Sequence, residues 1–132
     1  MSVPMVIELT PDDYFTAITV DKQMHIVMHY GATCGPCKAT MPHYEIVANH
    51  FIEYGRGDRV KFYRFHQWQP EYKPFIEERN LKVSGVPTFK FYYAGELIDE
   101  VTASYSDPNV LKKRFIDVSV AINSTIGDFD LA

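Results

Sequence analysis

Two cysteines are all that this 132-residue chain carries, too few for the dense disulfide framework by which small secreted domains make up for a thin core. Any disulfide between them therefore serves a function rather than a scaffold. No run approaches the ~20 consecutive apolar residues that cross a bilayer, and Met1-Ser2-Val3-Pro4-Met5-Val6 has neither the charged nor the apolar stretch of a secretion signal. The expectation is a protein of the reducing cytosol that does not engage membranes. Positive charge is not in excess either: 13 Lys and Arg stand against 17 Asp and Glu, a net charge of −4. Without a general basic field to hold phosphate backbones, nucleic acid is not an expected partner. With 7 Gly and 8 Pro, no internal repeat and no linker, low-complexity and collagen-like classes are excluded. No Gly-x-Ser-x-Gly element is present to suggest a hydrolase. What the chain does have is apolar and aromatic mass, 46% hydrophobic residues with 9 Tyr and 9 Phe, enough for one domain with a core of its own.

The order of elements follows from pattern. Val6-Ile7-Glu8-Leu9 reads as a short strand, and Thr10-Pro11-Asp12-Asp13 as a helix start with Thr10 at the N-cap and a helix to about Val20. His25 to Tyr30 is a mostly apolar run closed by Gly31, which suits a buried central strand, although periodicity alone leaves a helix open. Cys34, Cys37, Met41, Tyr44, Ala48 and Phe51 recur at steps of three and four, one face of a helix to about Tyr54, with Pro42 expected to kink it. Val60 to Phe65 alternates as a strand, and the polar stretch from Gln67 to Lys73 reads as a loop before a short helix through Phe75 to Arg79. Thr88 to Tyr93 and Leu97 to Val101 form a hairpin around Ala94-Gly95-Glu96. Asp107-Pro108 caps a last helix with the apolar stripe Leu111, Phe115, Val118 and Ile122. The order β-α-β-α-β-α-β-β-α predicts an α/β fold, a mixed sheet covered by helices on both faces, as a single domain over 1–123 with a C-terminal tail over 124–132.

The chemistry concentrates at Cys34-Gly35-Pro36-Cys37, placed where a buried strand gives way to a helix. Unpaired backbone amides and the helix dipole favour an anion there, so Cys34 is expected to be the more acidic thiol. Cys37 lies one turn further in, close enough to pair and turned toward the interior, a position suited to resolving a mixed disulfide. A zinc site would need further ligands, and only histidines such as His43 or His66 remain, without a second cysteine pair. His25, His29, His43, His50 and His66 share no ligand spacing and read as surface or core-edge residues. The aromatic strands resemble a stacking platform for bases only superficially, since the chain is acidic; they read as core. Trp68 stands in the polar stretch either as an exposed partner contact or as a lid over Phe75.

Ala32-Thr33-Cys34-Gly35-Pro36-Cys37-Lys38 and Val83-Ser84-Gly85-Val86-Pro87-Thr88 resemble, in this order, the two signatures of the thioredoxin family. Pro42, five residues after Cys37, and Gly95-Glu96 in the hairpin fit the same pattern, and the likeness extends from about Val6 to Asn123. It implies the thioredoxin fold, a cis bond before Pro87, a Val86 backbone offered to an extended substrate, and a groove formed also by Thr33, Gly35, Pro36 and Ala103. A cis bond is cheap only before proline, about 0.5–1 kcal/mol. The departures are specific. Thr33 stands where the family usually has tryptophan, with Tyr30 and Gly31 preceding it; Met28 takes the place of the buried aspartate beneath the second cysteine and Arg64 that of the lysine beside it. His29 is next to the vacated acid position but faces the opposite side of its strand, and the stretch from Gln67 to Lys73 exceeds the family's usual connection.

The resemblance further implies a thiol-disulfide oxidoreductase that reduces disulfide-containing protein substrates through Cys34 and Cys37, without a bound cofactor, and is recharged by a thioredoxin-reductase-type electron donor. Met28, His29, Tyr30, Lys38 and Arg64 are the residues expected to tune the pair. A second reading stays open, in which the domain is a binding or structural module of a larger assembly with little redox turnover, because fold does not dictate function.

Overall fold

The computed structural model describes residues 5–126. Val6–Leu9 forms β1, with Val6 and Leu9 buried and the pair between them exposed. Thr10 holds the N-cap of helix α1, Pro11–Ile18, but its hydroxyl donates to the Asp13 carboxylate at 3.0 Å instead of capping the backbone. The helix stops short of Val20, where the Ile18 carbonyl accepts the Gly95 N–H at 3.2 Å and the chain turns away through Lys22 at a positive φ of 62°. Strand β2, Met24–Tyr30, is buried along almost its whole length, which explains why its apolar run shows no alternation. Helix α2, Gly35–Glu53, runs unbroken through Pro42. Strand β3, Val60–His66, is followed by a 3-10 turn, Pro70–Tyr72, where the sequence predicts only loop; Pro70 presets the turn and Tyr72 stacks on Phe65 at 5.3 Å. Helix α3 covers Lys73–Glu78, and β4, Thr88–Tyr93, turns into β5, Glu96–Thr102. Two residues suffice for that turn because Ala94 and Gly95 both take positive φ, 53° and 80°. The last helix, α4, Pro108–Ile126, starts where the Asp107 carboxylate accepts the Asn109 N–H at 2.9 Å. It continues three residues into the segment 124–132, and the rest of that segment lies outside the described residues.

The five strands lie in the order β1-β3-β2-β4-β5, with β1, β3 and β2 parallel and β4 and β5 antiparallel. Side chains alternate across this sheet and so build two separate cores. Met24, Ile26 and Met28 join Phe62, Phe89, Phe91 and Phe115 on the face covered by α2 and α4, and both cysteines belong to this cluster. Val27, Tyr63, Phe65 and Tyr92 meet Tyr14, Ile18 and Ile76 of α1 and α3 on the other. The central mixed sheet with helices on both faces is the architecture that the resemblance implies.

Tyr44 ties α2 to the sheet. Its hydroxyl accepts the Tyr63 N–H at 3.1 Å and reaches the carbonyls of Tyr63 at 2.8 Å and Ile26 at 3.0 Å, while its ring lies edge-on to Phe62, Phe89 and Phe115. Burial holds this phenol well above its ordinary pKa, so it stays a donor. Tyr44→Phe leaves backbone groups of β2 and β3 without their partner in a dry site; a loss of about 1–3 kcal/mol is expected in urea unfolding, and an unchanged midpoint would show that the sheet satisfies those groups alone.

Candidate functional site

The site is built at the end of β2, where Gly31, Ala32 and Thr33 lead into α2. Cys34 is the N-cap residue in extended conformation, φ −83° and ψ 112°, with its N–H on the Gly31 carbonyl at 3.2 Å. The backbone N–H of Cys37 donates to Cys34 Sγ at 3.1 Å. A 19-residue helix thus directs its amino end at this sulfur, and its first turn holds no acidic side chain to compete for that field. The two cysteines are disulfide-bonded with Cα atoms 5.2 Å apart, Cys34 5% exposed and Cys37 2%. Facing the pair is the loop before β4: Cys34 Sγ lies 3.7 Å from the Val86 carbonyl oxygen, and the Val86–Pro87 bond is cis. Thr88 fixes this loop, its hydroxyl lying 2.6 Å from the Gly85 carbonyl and 2.7 Å from the Thr102 hydroxyl. Ala103 follows directly after Thr102, while Thr33, Gly35 and Pro36 lie exposed around the cysteines. Two parts of the chain, Cys34–Cys37 and the Val86–Pro87 loop, thus meet at one sulfur, and Ala103 is joined to the second of them through Thr102.

Met28 is fully buried in the same cluster as both cysteines, a thioether that neither takes nor gives a proton. Arg64 pairs with it in register across β2 and β3, and its Nε lies 3.0 Å from Glu8 Oε1. Tyr30 donates its hydroxyl to the same Glu8 oxygen at 2.6 Å, and the guanidinium lies over the Tyr30 ring at 5.8 Å. Burial, reinforced by that bond to Glu8, pushes the Tyr30 hydroxyl well above its usual pKa. A small cavity of about 180 Å³ is lined by Tyr30, Cys37, Lys38, Met41 and Arg64 among others, which sets Tyr30, Lys38 and Arg64 beside Cys37, while Met28 shares its core cluster. Glu8 escaped sequence reasoning; its register partner is Arg64, and only the parallel pairing of β1 with β3 brings them together.

His29 is the exception. It lies on the opposite face, fully buried rather than at a core edge, as is His25. His29 Nδ1 donates to Gln67 Oε1 at 2.7 Å, leaving Nε2 to accept from the Tyr14 hydroxyl at 2.7 Å, which in turn lies 2.9 Å from that of Tyr92. Burial holds Tyr14 well above its ordinary pKa and pushes Tyr92 up to about 12, so both remain donors. Burial also lowers His29 from 6.5 to about 3, against the opposing bond to Gln67. Gln67 completes the chain by donating Nε2–H to the Leu81 carbonyl at 3.2 Å. Trp68, the next residue, packs over Gly31 rather than Phe75: a Cβ on Gly31 would fall within the indole ring. Among the described residues no group of three His, Cys, Asp or Glu side chains could hold a metal ion, and no helix is long and apolar enough to cross a membrane.

A cysteine pair at a helix start, opposed by a cis-proline loop at the ends of the inner strands of a mixed sheet, defines a dithiol-disulfide site. The family model for thioredoxin matches residues 5–115. The chain belongs to the thioredoxin family. Among curated relatives it is 36% identical over 78 residues to a chloroplastic F-type thioredoxin of Mesembryanthemum crystallinum, covering 59% of this chain and 36% of that protein. It is 29% identical over 109 residues to chloroplastic thioredoxin F1 of Arabidopsis thaliana, covering 81% and 56%. A thioredoxin of Malassezia sympodialis is 28% identical over 100 residues, covering 76% and 86%. The chain thus spans between about a third and somewhat over half the length of the chloroplastic relatives. The crystal structure of thioredoxin f from spinach chloroplast (long form) has a TM-score of 0.70 at 26% identity, covering 88% of each chain, which establishes the thioredoxin fold. The expectation of a cytosolic protein is overturned by these relatives, three of which are chloroplastic. A low cysteine count and the lack of a bilayer-spanning run describe a plastid protein equally well.

In the unfolded chain the His29 imidazole takes up its proton near pH 6.5, in the folded chain only near 3, so unfolding binds protons in between. Stability should be full above pH 6.5 and fall as pH drops toward 3, and urea midpoints across this range should fall less steeply in His29→Gln. Equal slopes would mean that the acid sensitivity comes from other groups.

Proposed function

We propose that this chain is a protein-disulfide reductase. The observation that carries the reading is the bond from the Cys37 N–H to Cys34 Sγ at the start of α2, which stabilises a thiolate on Cys34. That thiolate attacks one sulfur of a substrate disulfide, breaking the S–S bond, and the departing substrate thiolate takes a proton. Cys37, having lost its own proton, attacks Cys34; the mixed disulfide breaks, the second substrate thiol leaves, and the two electrons of the dithiol now rest in the substrate. Thr33, Gly35, Pro36, Val86, Pro87 and Ala103 border the groove in which an extended substrate segment lies. Tyr30, Lys38 and Arg64 flank the resolving side, and His29 acts at a distance through Gln67. Residues 1–123 serve as one redox domain.

The F-type relatives support a plastid compartment. A structural neighbour is thioredoxin f2 in complex with ferredoxin:thioredoxin reductase, at 22% identity and a TM-score of 0.68. Since that likeness shows only the fold, the donor is to be found by measuring which reductase recharges the Cys34–Cys37 disulfide.

In an insulin-reduction assay the chain should turn over with a chemical or enzymatic reductant. Cys37→Ser should accumulate a mixed disulfide on Cys34, Cys34→Ser should trap almost none, and turnover of both should fall to background. Equal alkylation rates for the two thiols near neutral pH would contradict the assigned roles, and binding without turnover in the native chain would favour a structural module.

With Met28 in place of an acid, the proton of Cys37 must leave by water or a neighbouring group. Met28→Asp is expected to cost about 2–4 kcal/mol at neutral pH, through burial of a carboxyl group. It should also speed the resolving step in rapid-mixing kinetics. An unchanged resolving rate in the folded variant would mean that another acceptor already serves.

A further inference from the structure

Trp68 is the only tryptophan of the chain and remains 52% exposed, yet the segment that carries it is held from both sides. The N–H of Gln67 bonds the Tyr30 carbonyl at 2.8 Å, the Gln67 side chain is clamped between His29 and Leu81, and the N–H of Gln69 bonds the His66 carbonyl at 3.3 Å. Gly31 lets the indole lie directly on the backbone leading to Cys34, because any Cβ there would overlap the ring. The free face of Trp68 opens on a cleft of about 570 Å³ bounded by Pro70, Ile76, Val83 and Val86. Val86 is shared with the reactive centre, for its carbonyl lies 3.7 Å from Cys34 Sγ. Lys73 and Lys82 line the cleft against a single acid, Glu77.

We infer that this cleft is a specificity subsite for the substrate protein, in which an apolar side chain near the target cysteine seats against Trp68 and an acidic neighbour meets Lys73 and Lys82. The inference rests on the reductase reading. An exposed aromatic ring on a fixed backbone offers apolar area without an ordering cost, which is what a recognition residue requires. Continuity with Val86 means that a segment attacked by Cys34 enters the cleft without leaving the groove. The connection between β3 and α3 thereby supplies an aromatic wall, which the small Thr33 side chain does not offer.

The test compares disulfide-linked peptides that carry Leu or Ser two to four residues from the cysteine, with Asp beyond. The native chain should favour the Leu peptide by about tenfold in kcat/KM, with the difference in KM. Trp68→Ala should bring the ratio close to one, Trp68→Phe should keep part of it, and Gly31→Ala should abolish it by displacing an intact Trp68. In the mixed disulfide formed on Cys37→Ser, the emission of the lone tryptophan should shift to the blue with the Leu peptide and stay put with the Ser peptide. Replacing Asp by Asn should weaken binding more at low than at high salt. If the native chain reduces both peptides and a small aromatic disulfide with equal KM, the subsite is refuted and the reductase reading stands. If Cys34 reduces none of them, both fall.

Discussion

Everything chemical in this protein depends on where α2 begins. Two groups flank Cys34 Sγ, the Cys37 N–H of the first helical turn and the Val86 carbonyl across from it, and both lie within a few ångströms. A helix lying on a flat apolar face could slide; this one cannot, because Tyr44 plants a hydroxyl among the backbone groups of β2 and β3. Shape packing against Phe62, Phe89 and Phe115 fills the volume, and the directional bonds fix the register.

The sheet divides labour between its faces. On one side Met28, both cysteines and the aromatic cluster make a dry floor, at whose margin Arg64 and Glu8 are paired to one another. On the other, the imidazole of His29 and the hydroxyls of Tyr14 and Tyr92 form a buried polar chain that leads to Gln67 and hence to the segment beside the groove. Because adjacent β2 residues point to opposite faces, two neighbours in sequence, Met28 and His29, take part in unrelated tasks.

How much of this was legible depends on the range of each interaction. The junction of β2 with α2 was readable because an apolar run, a glycine and a proline-containing helix start are local signals, and the stripe of α4 likewise. The cis bond before Pro87 was legible only through the resemblance to a family. The partnership of Glu8 with Arg64 was not, since it needs the knowledge that β1 lies beside β3. Nor was Gln67: a glutamine at the start of a polar stretch carries no sign that it reaches a buried histidine 38 positions back. Composition misjudged the compartment, because cysteine scarcity reports on disulfide scaffolds and says nothing about which membrane-bounded space a reduced protein occupies.

The thioether of Met28 has one more consequence. When a redox pair sits above an ionisable core group, the group changes its charge with the state of the sulfurs, and the couple exchanges protons that belong to neither cysteine. Above Met28 the electron inventory and the proton inventory involve the same two sulfur atoms. Such a centre passes on electrons without any change of charge at the Met28 position of its core, whichever state the sulfurs are in.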